Sequence, residues 1–441
     1  MMSDMSPSSS HLASHLASRR AVFTGLGVLS PVGCDPDTFW QALVAGTSGV
    51  RRIQAFDPSA LPCHLGGEVP DYDAKKYIPA TNREVRKTLN KMARTVQMGF
   101  TTAVKAWEDA QGPQKGQIDP YRFGVEYGCV MVATELEDLV GGGQVSRSDK
   151  PGVVNLEAWG RDGLRKVPPQ WMLKYLPNMS ACHASIYVDA QGPNNTITAG
   201  DVAGSLALGE AYRIIARNLA DAFLVGGCDS RINPVSFSRH NSFQPLTRHN
   251  DLGAKAIRPF AADRDGFVIG EGAAVFVLEE LEFAKKRGAK IDAELVGFAS
   301  GFDRGLKGDV LTAVIRRALQ QADITPNDVD HVNAGASGSK ILDLWEAKAI
   351  ADVFGTNVPV FAPKGHFGNT GAASGLIELA ASVLALKHRA LPGTLNCENR
   401  DPDCPVAVHT GKPRPVTKPF ALKVSYTDMG QCAAVVVKQW S

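Results

Sequence analysis

Several large classes of protein are excluded by what this sequence lacks. Its 441 residues include eight cysteines, but none forms a Cys-x-x-Cys pair, so a disulfide framework or a zinc site is not expected. Scattered thiols of this kind are typical of a cytoplasmic protein. No run of about 18 apolar residues occurs, which argues against a membrane-spanning helix. The net charge of +2, with both signs spread along the chain, gives no electrostatic reason to expect a nucleic-acid partner.

Neither the N-terminus nor the first glycine cluster predicts a metal or cofactor site. Residues 1–19 are rich in Ser, His and Met and lack the apolar segment of a secretory signal, so we expect a disordered tail. His11 and His15 lie in this tail, where fixing a flexible segment around an ion would cost conformational entropy. The cluster Gly25-Leu26-Gly27 departs from GxGxxG, and a bound dinucleotide is therefore not expected.

The rest of the chain alternates predicted strands with helices of 10 to 20 residues, which include a helix from Asn369 to His388 and a strand at 421–437. This pattern is typical of an α/β protein with mainly parallel, buried sheets. It occurs twice, in residues 20–288 and again in 289–441, and the first half contains an excursion at about 140–185 that is rich in Gly, Pro and Trp. We therefore expect two similar halves, related by duplication, that pack face to face.

One stretch, residues 194–216, carries most of the functional argument. It begins with a short β-type run, turns at Ala199-Gly200 and continues with small and apolar residues at helical spacing. The turn places the carboxylate of Asp201 at the N-terminus of a buried helix, where unpaired N–H groups and the helix dipole favour negative charge. Asp201 is expected to cap this helix or, alternatively, to act as an acid or base.

Several longer motifs resemble the elongating β-ketoacyl-acyl-carrier-protein synthases. The resemblance covers nearly the whole chain and implies a thiolase-type fold of five layers, α-β-α-β-α, and a two-fold dimer. It also implies an acyl carrier protein as partner, whose phosphopantetheine arm carries the substrate, and no bound cofactor. The motifs are RAVFTGLGVLSPVG from residue 20, RPFAADRDGFVIGEGAAVFVLEELEFAKKRGAKIDAELVGF at 258–298, VNAGASGSKILDLWEAKAI at 332–350, KGHFGNTGAASGLIELA at 364–380 and LPGTLN at 391–396.

The family uses a cysteine nucleophile and two histidines, and the resemblance implies that this sequence departs from it at all three positions. The register of the following helix puts the cysteine position at Asp201. The two histidine positions fall on Gly335 and Asn369. A C-terminal loop that normally carries phenylalanine has Asp428 in its place. The family residues that match are Asp343, Glu346 and Lys364.

These substitutions remove groups that a Claisen condensation needs. A carboxylate cannot hold the acyl chain as a thioester, because the mixed anhydride it would form is too high in energy. A negative charge at the helix N-terminus would also repel the malonyl carboxylate and the developing enolate. For charges about 4 Å apart the cost is about 4 kcal/mol, or about three decades in rate. We therefore expect no ordinary condensing activity.

Other positions leave alternatives open. Ser337 and Ser339 occupy the positions of two hydroxyls that hold the phosphopantetheine arm in the family, but serine is also an ordinary loop residue. His366 lies two residues after the family lysine, away from the histidine position, and is expected to be structural. If Asp201 and Asp428 are buried close together, their repulsion should raise the pKa of at least one of them.

Three functions agree with these features. The first is a ketosynthase-like subunit that no longer condenses and instead assists a cysteine-containing ketosynthase, as chain-length factors of aromatic polyketide systems do. Those usually carry glutamine at the nucleophile position, and the resemblance leaves homodimer and heterodimer both open. The second is a hydrolase or acyltransferase acting on acyl thioesters, with Asp201 as the base and Lys364 or Asn369 stabilising the oxyanion. The third is a module that binds a carrier protein or an acyl chain.

Overall fold

The computed structural model describes residues 19–113 and 116–441, so the predicted tail with His11 and His15 lies outside the described residues. Buried runs rich in Val, Ile, Phe and Ala form the long strands, as expected for a sheet covered on both faces. The strands are β1 Ala21–Leu29, β2 Val50–Arg52, β3 Leu65–Gly67, β4 Phe123–Gly128, β5 Asn194–Ile197, β6 Ala222–Ser230, β7 Ile269–Glu280, β8 Ala293–Phe302, β9 Val329–Asn333, β10 Pro359–Phe361, β11 Ala390–Leu391, β12 Ala407–Val408, β13 Arg414–Pro415, β14 Phe420–Tyr426 and β15 Gln431–Gln439.

The helices differ in how much of their surface is buried. In the last helix of the chain, every residue from Ser374 to Leu386 is buried, which is typical of a helix in the centre of a large core. The helices are α1 Pro36–Ala45, α2 Arg83–Thr88, α3 Arg94–Asp109, α4 Leu136–Val145, α5 Leu156–Ala158, α6 Trp171–Lys174, α7 Met179–Val188, α8 Ala203–Ala216, α9 Pro234–Phe243, α10 Leu281–Lys286, α11 Asp309–Gln321, α12 Lys340–Phe354, α13 Lys364–Phe367 and α14 Ser374–His388. Among the described residues, no helix is both long and apolar enough to cross a membrane.

The strand order shows the duplication directly. Reading outward from the centre, the first half runs β1-β7-β6-β4-β5 and the second half runs β8-β15-β14-β9-β10-β12. Pairing is parallel at both outer ends, for example between β4 and β6 and between β9 and β14. Pairing is antiparallel in the middle, where a short ladder between β1 and β8 joins the halves. The sheet is therefore mixed, with matching topology in its two halves.

Helices cover both halves and also separate them. On one outer face, helix α3 packs on β1, β6 and β7, and on the other outer face α11 packs on β8 and β15. Between the two strand layers lie α8, which contacts β4 and β6, and α14, which contacts β14 and β7. The largest hydrophobic cluster lies around these two central helices. The α/β class and the five-layer arrangement implied by the resemblance are thus confirmed, whereas the residue limits of two domains stay a prediction.

Two predicted elements have different limits in the structure. The predicted strand at 421–437 is wrong as a single element, because the turn Thr427–Gly430 divides it into the antiparallel strands β14 and β15. The helix predicted from Asn369 begins at Ser374. Asn369 instead lies before a tight turn in which Gly371 has a φ of +57°. Both differences concern segments that contribute to the candidate site.

Candidate functional site

A cavity of about 250 Å³ lies where elements of both halves end. Its lining comes from the turn before α8, the end of β6, helix α9, the segments after β9 and β10, and the β14–β15 turn. Carboxyl ends of parallel strands are the usual place for ligands in α/β proteins. The lining includes Asp201, Asp229, Arg231, Ser236, Arg239, His240, Gln244, Gly335, Ser337, Lys364, Asn369, Tyr426 and Asp428.

Asp201 lies in a tight turn between β5 and α8, as the sequence predicts. Gly200 has a φ of +58°, a conformation that favours glycine, and it starts the single 3₁₀ turn Gly200–Val202. The prediction that Asp201 caps the helix is wrong, because α8 begins at Ala203 without a side-chain cap. The carboxylate points across the cavity instead. Asp201 is therefore free of any capping role and available to the groups opposite.

Those groups form a paired set, Asp201, Asp229, Arg231 and Asn369, which we call the charged wall. Arg231 donates from Nη2 to Asp201 Oδ1 at 3.0 Å and from Nε to Asp229 Oδ2 at 2.7 Å. Asn369 Nδ2 donates to the other oxygen of Asp201 at 2.7 Å. The amide N–H of Ala372 donates to Asp229 Oδ2 at 3.2 Å. One guanidinium thus bridges two carboxylates, and both oxygens of Asp201 have donors.

The pKa values of the two acids in the charged wall are shifted in opposite directions. Burial alone would raise the pKa of Asp201, but Arg231, the Asn369 amide and the charge of Lys364 outweigh it, and this pKa lies below its ordinary value. Burial raises the pKa of Asp229, and the neighbouring charge of Asp201 raises it further. The pKa of Arg231 is raised by the two acids, although burial opposes this. Asp201 is therefore ionised at neutral pH.

Lys364 lies behind the charged wall in a second buried network. Its Nζ donates to the carbonyl of Gly335 at 2.7 Å and forms an ion pair with Glu378 Oε1 at 2.8 Å. Lys423 pairs with the other Glu378 oxygen at 2.6 Å. Two ammonium groups thus share one carboxylate, and burial lowers the pKa of Lys423, with the charge of Lys364 acting in the same direction. The excess positive charge helps to keep Asp201 ionised.

Gly335 lies against Tyr426, and the contact leaves no space for a side chain. A Cβ atom at Gly335 would lie 2.9 Å from Cε1 of Tyr426. The Tyr426 hydroxyl donates to Glu346 Oε2 at 3.0 Å, and the Gly335 N–H donates to Glu346 Oε1 at 2.7 Å. Burial raises the pKa of Glu346 to about 7. The ring is therefore held in place by the same carboxylate that binds the glycine backbone.

The two predicted serines lie in different surroundings. Ser337 lines the cavity, and its N–H donates to Asp343 Oδ1 at 3.0 Å. Asp343 also accepts from the N–H of Phe260 at 3.0 Å and orders the loop before α12. Ser339 is the N-cap of α12, where its hydroxyl accepts from the N–H of Leu342 at 3.4 Å. Only Ser337 of the pair is in a position to meet a ligand in the cavity.

Asp428 and His366 take no part in the charged wall. Asp428 is exposed at the rim of the cavity, so the two acids are not buried together and the condition for mutual pKa elevation is not met. His366 is buried, and its Nδ1 and Nε2 lie 2.9 Å and 3.3 Å from the carbonyl oxygens of Thr47 and Gly393. Burial lowers its pKa to about 4. The structure places His366 in the structural role that the sequence predicts.

Helix α9 forms another side of the cavity that the sequence reasoning missed. Ser236, His240 and Gln244 follow one another at intervals of four residues along α9 and its end, and we call them the helix wall. Arg239 is exposed beside them at the rim. Two residues of the charged wall were also missed: Asp229 lies near the end of β6, and Arg231 directly follows that strand. Polar residues at helical spacing after a buried strand are the signal that could have identified this side.

No cysteine lines the cavity among the described residues. Cys228 is fully buried in β6, where its Sγ lies 3.2 Å from Ser180 Oγ, and Cys182 is half-buried in α7. Within the described part of the chain, His240 is also the only imidazole in the lining. The cavity therefore presents carboxylates, guanidinium groups and amides rather than a thiol beside a histidine.

Comparisons with known proteins agree with this architecture. The family model "Beta-ketoacyl synthase, N-terminal domain" matches residues 18–284, and the corresponding C-terminal domain model matches 297–398. The 3-oxoacyl-[acyl-carrier-protein] synthase 2 of Coxiella burnetii is 36% identical over 401 residues, 88% of this chain and 90% of the relative. Two solved structures each align over 96% of this chain and 100% of their own, at 26% identity. They are the ishigamide ketosynthase/chain length factor, with a TM-score of 0.83, and a type II PKS acyl-carrier protein in complex with its ketosynthase bound to the hexaketide, with a TM-score of 0.81.

Proposed function

Because the chain belongs to the β-ketoacyl synthase family, we propose that it is a ketosynthase-like protein of fatty acid or polyketide biosynthesis that does not itself condense acyl chains. In this role it assists a cysteine-containing ketosynthase, in the manner of a chain-length factor. Its partners are that ketosynthase and an acyl carrier protein, whose phosphopantetheine arm enters the cavity beside Ser337. A ketosynthase/chain length factor and a ketosynthase in complex with an acyl carrier protein are among its structural relatives, which supports this role.

The observation that carries this proposal is the state of Asp201. It lies at the turn before α8 with one oxygen held by Arg231 and the other by Asn369. A nucleophile for acyl transfer must be free to attack and must give an acyl-enzyme that can form from a thioester. Each oxygen of this carboxylate is held by a donor, and the mixed anhydride it would form is too high in energy to arise from a thioester.

Gly335 and Asn369 support the same conclusion from the opposite side of the cavity. Stabilising the enolate and the oxyanion of a condensation requires donors aimed at the position where negative charge develops. The Asn369 amide is directed at Asp201 instead, at 2.7 Å. Tyr426 occupies the space next to Gly335 that a side chain would need. Neither position supplies a neutral imidazole.

The hydrolase alternative is less well supported by the electrostatics of the site. A general base works best when its pKa is near the working pH. The pKa of Asp201 is held below its ordinary value by Arg231, Asn369 and Lys364 despite burial, which makes the carboxylate a weak base. Its paired oxygens also leave little room for a water molecule to bind.

A condensation assay tests the proposal. The purified chain is incubated with malonyl- and acyl-loaded acyl carrier protein, and products and the intact mass of the chain are recorded. We expect no 3-oxoacyl product and no acyl adduct on the protein. A 3-oxoacyl product or a stable acyl adduct would contradict the proposal. Thioester hydrolysis that disappears in Asp201→Ala would instead support the hydrolase.

Co-expression tests the partner role. The chain is produced with a cysteine-containing ketosynthase from the same genome, and we expect a stable complex whose product length changes when cavity residues of this chain are substituted. The matched control is a substitution of an exposed residue outside the cavity, such as Lys105→Ala on α3. Absence of a complex with every such ketosynthase would contradict the partner role.

A further inference from the structure

A second cavity lies apart from Asp201, and arginine side chains from two elements line it. Its volume is about 310 Å³, within the range of about 300–1,000 Å³ that is usual for small-molecule sites. Arg51 lies on β2, and Arg94 is the first residue of α3. The side chains of Arg51 and Arg94 are 35% and 38% exposed, so solvent reaches both of them. Two cations thus border one small, open space.

The guanidinium group of Arg94 is held in one orientation by a buried acid. It donates from Nε to Glu271 Oε2 at 2.8 Å and from Nη2 to Glu271 Oε1 at 2.6 Å. Glu271 is 1% exposed, and it also accepts from the Val69 N–H at 3.0 Å and the Ser230 hydroxyl at 2.5 Å. The guanidinium carbon lies 5.2 Å from the centre of the Tyr72 ring. Arg94 is therefore fixed in place, while its Nη1 forms no hydrogen bond among the described residues.

Arg51 has weaker contacts with the acid beside it. Its Nη2 donates to the carbonyl of Glu68 at 3.4 Å, and its Nε lies 3.9 Å from Glu68 Oε2. The Glu68 side chain is 8% exposed, and its carboxylate accepts from the N–H groups of Gln54 and Ala55 at 2.8 to 3.1 Å. The backbone thus engages both oxygens of Glu68, and most N–H groups of Arg51 have no partner within the described part of the chain.

The hydrogen bonds around the second cavity leave donors over and use up the buried acceptors. Glu68 and Glu271 have donors on each oxygen, whereas both guanidinium groups keep unpaired N–H groups. Helix α3 adds positive potential, because it begins at Arg94 and the preceding Ala93 supplies no side-chain cap. Asp71 is exposed, also lines the cavity and contributes the opposing charge. The ligand that fits such a set of donors is an acceptor of N–H bonds, as the oxygens of a phosphate or carboxylate group are.

We propose that the second cavity binds a small oxyanion, and that Arg51 and Arg94 donate to its phosphate or carboxylate group. The bound group completes the hydrogen bonds that the two arginines leave open. Glu271 does not bind the ligand but positions Arg94, and Asp71 limits the affinity by repulsion. This inference goes beyond the proposed function, because it involves neither Asp201 nor an acyl chain.

Titration calorimetry of the full chain tests the proposal, with inorganic phosphate as one probe and succinate as the other. The ionic strength is held constant with sodium chloride, and the two probes distinguish a phosphate ligand from a carboxylate ligand. We expect saturable binding of at least one probe. Arg51→Gln should weaken it about tenfold, as the loss of a hydrogen bond to a charged group would give. Asp71→Asn should strengthen it, because the variant removes the opposing charge.

Arg52→Gln is the matched control, since the same charge is lost at the next residue of β2, which does not line the second cavity. This control should bind the probe like the wild type. Arg94→Gln is made together with Glu271→Gln, so that no buried carboxylate is left without its cation, and this double variant should also bind more weakly. Circular dichroism and the midpoint of thermal unfolding verify that each variant is folded. Absence of saturable binding of both probes, or an equal loss in Arg51→Gln and Arg52→Gln, would overturn the inference.

Discussion

The two walls of the cavity differ in how they satisfy their polar groups. In the charged wall, Arg231 bridges Asp201 and Asp229, and Asn369 occupies the remaining oxygen of Asp201. In the helix wall, His240 Nε2 and Gln244 Oε1 have no partner among the described residues. One wall is complete within the chain itself, whereas the other leaves two polar atoms unpaired within the described part of the chain. Charge in a cavity is therefore not by itself a sign of catalysis.

The comparison also separates stability from binding. Breaking a closed ion-pair network leaves buried charges behind and should destabilise the fold. Replacing an unpaired polar group by an apolar group of similar shape should cost little stability and change binding instead. Substitutions in the charged wall should thus lower the free energy of unfolding, whereas substitutions in the helix wall should change binding with little effect on stability.

The largest effect is expected from Arg231→Met. This change leaves the buried Asp229 and the half-buried Asp201 without their shared cation, and breaking a buried pair in this way costs about 3–5 kcal/mol. Urea unfolding measures the loss. Adding Asp201→Asn and Asp229→Asn to the same variant should recover most of the stability, since the stranded charges are then removed. A loss below about 1 kcal/mol in Arg231→Met would show that the charged wall does not depend on its cation.

A smaller loss is expected from Asn369→Leu. The variant removes the donor to Asp201 Oδ2 and the acceptor of the Gly371 N–H and the Ser374 hydroxyl. Hydrogen bonds to a charged group contribute about 1.5–3 kcal/mol. The free energy of unfolding in urea should fall by this amount. As a control, Asn195→Leu on exposed β5 should change it by less than about 0.5 kcal/mol. Equal effects at both positions would contradict the pairing of Asn369.

Acid should weaken the fold through the helix wall. The pKa of His240 is about 4 in the folded chain because of burial, against 6.5 as its ordinary value, so the unfolded chain binds the proton more readily. This contribution to stability is fully present above about pH 6.5 and is lost as the pH falls towards 4. Between pH 7 and pH 5 the loss is about 2 kcal/mol. Urea unfolding at a series of pH values should show a shallower decline for His240→Phe, whereas unchanged slopes would contradict a buried neutral ring.

The smallest effect on stability is expected from Gln244→Leu. The unpaired amide oxygen disappears and apolar volume of similar size replaces it. The free energy of unfolding should therefore stay within about 0.5 kcal/mol of the wild type or rise. Thermal and urea unfolding measure it. A loss above about 1.5 kcal/mol would mean that the amide has a structural partner and that the two walls do not differ.

Local patterns in the sequence predict the layers of this fold well. Periodicity and composition identify the long strands such as β7. The predicted turn at Ala199-Gly200 is present, and Asp201, which follows it, lines the cavity. The β14–β15 hairpin was missed because a four-residue turn interrupts an otherwise continuous strand-like run. The α/β class and its duplicated halves depend on repeated local signals, and they are confirmed for that reason.

The partners within the site could not be predicted in the same way. Arg231 meets Asp201 across 30 positions of sequence, and only the folded arrangement of β6 and α8 brings them together. The cap predicted for Asp201 is wrong because this long-range ion pair competes with a local hydrogen bond. The missing hydrogen bond of His240 Nε2 is still harder to predict, because it depends on whether any of the segments packed around the ring supplies a partner.

The contact between Gly335 and Tyr426 has a consequence for the evolution of this sequence. Because the ring blocks even a methyl group at position 335, any larger residue there would first require Tyr426 to shrink or to turn away from Glu346. A larger residue at 335 alone would clash with the ring, and a change at Tyr426 alone would leave the Glu346 carboxyl group without the phenol that donates to it. The two residues therefore constrain each other, and descendants of this gene should keep glycine at 335 as long as they keep tyrosine at 426.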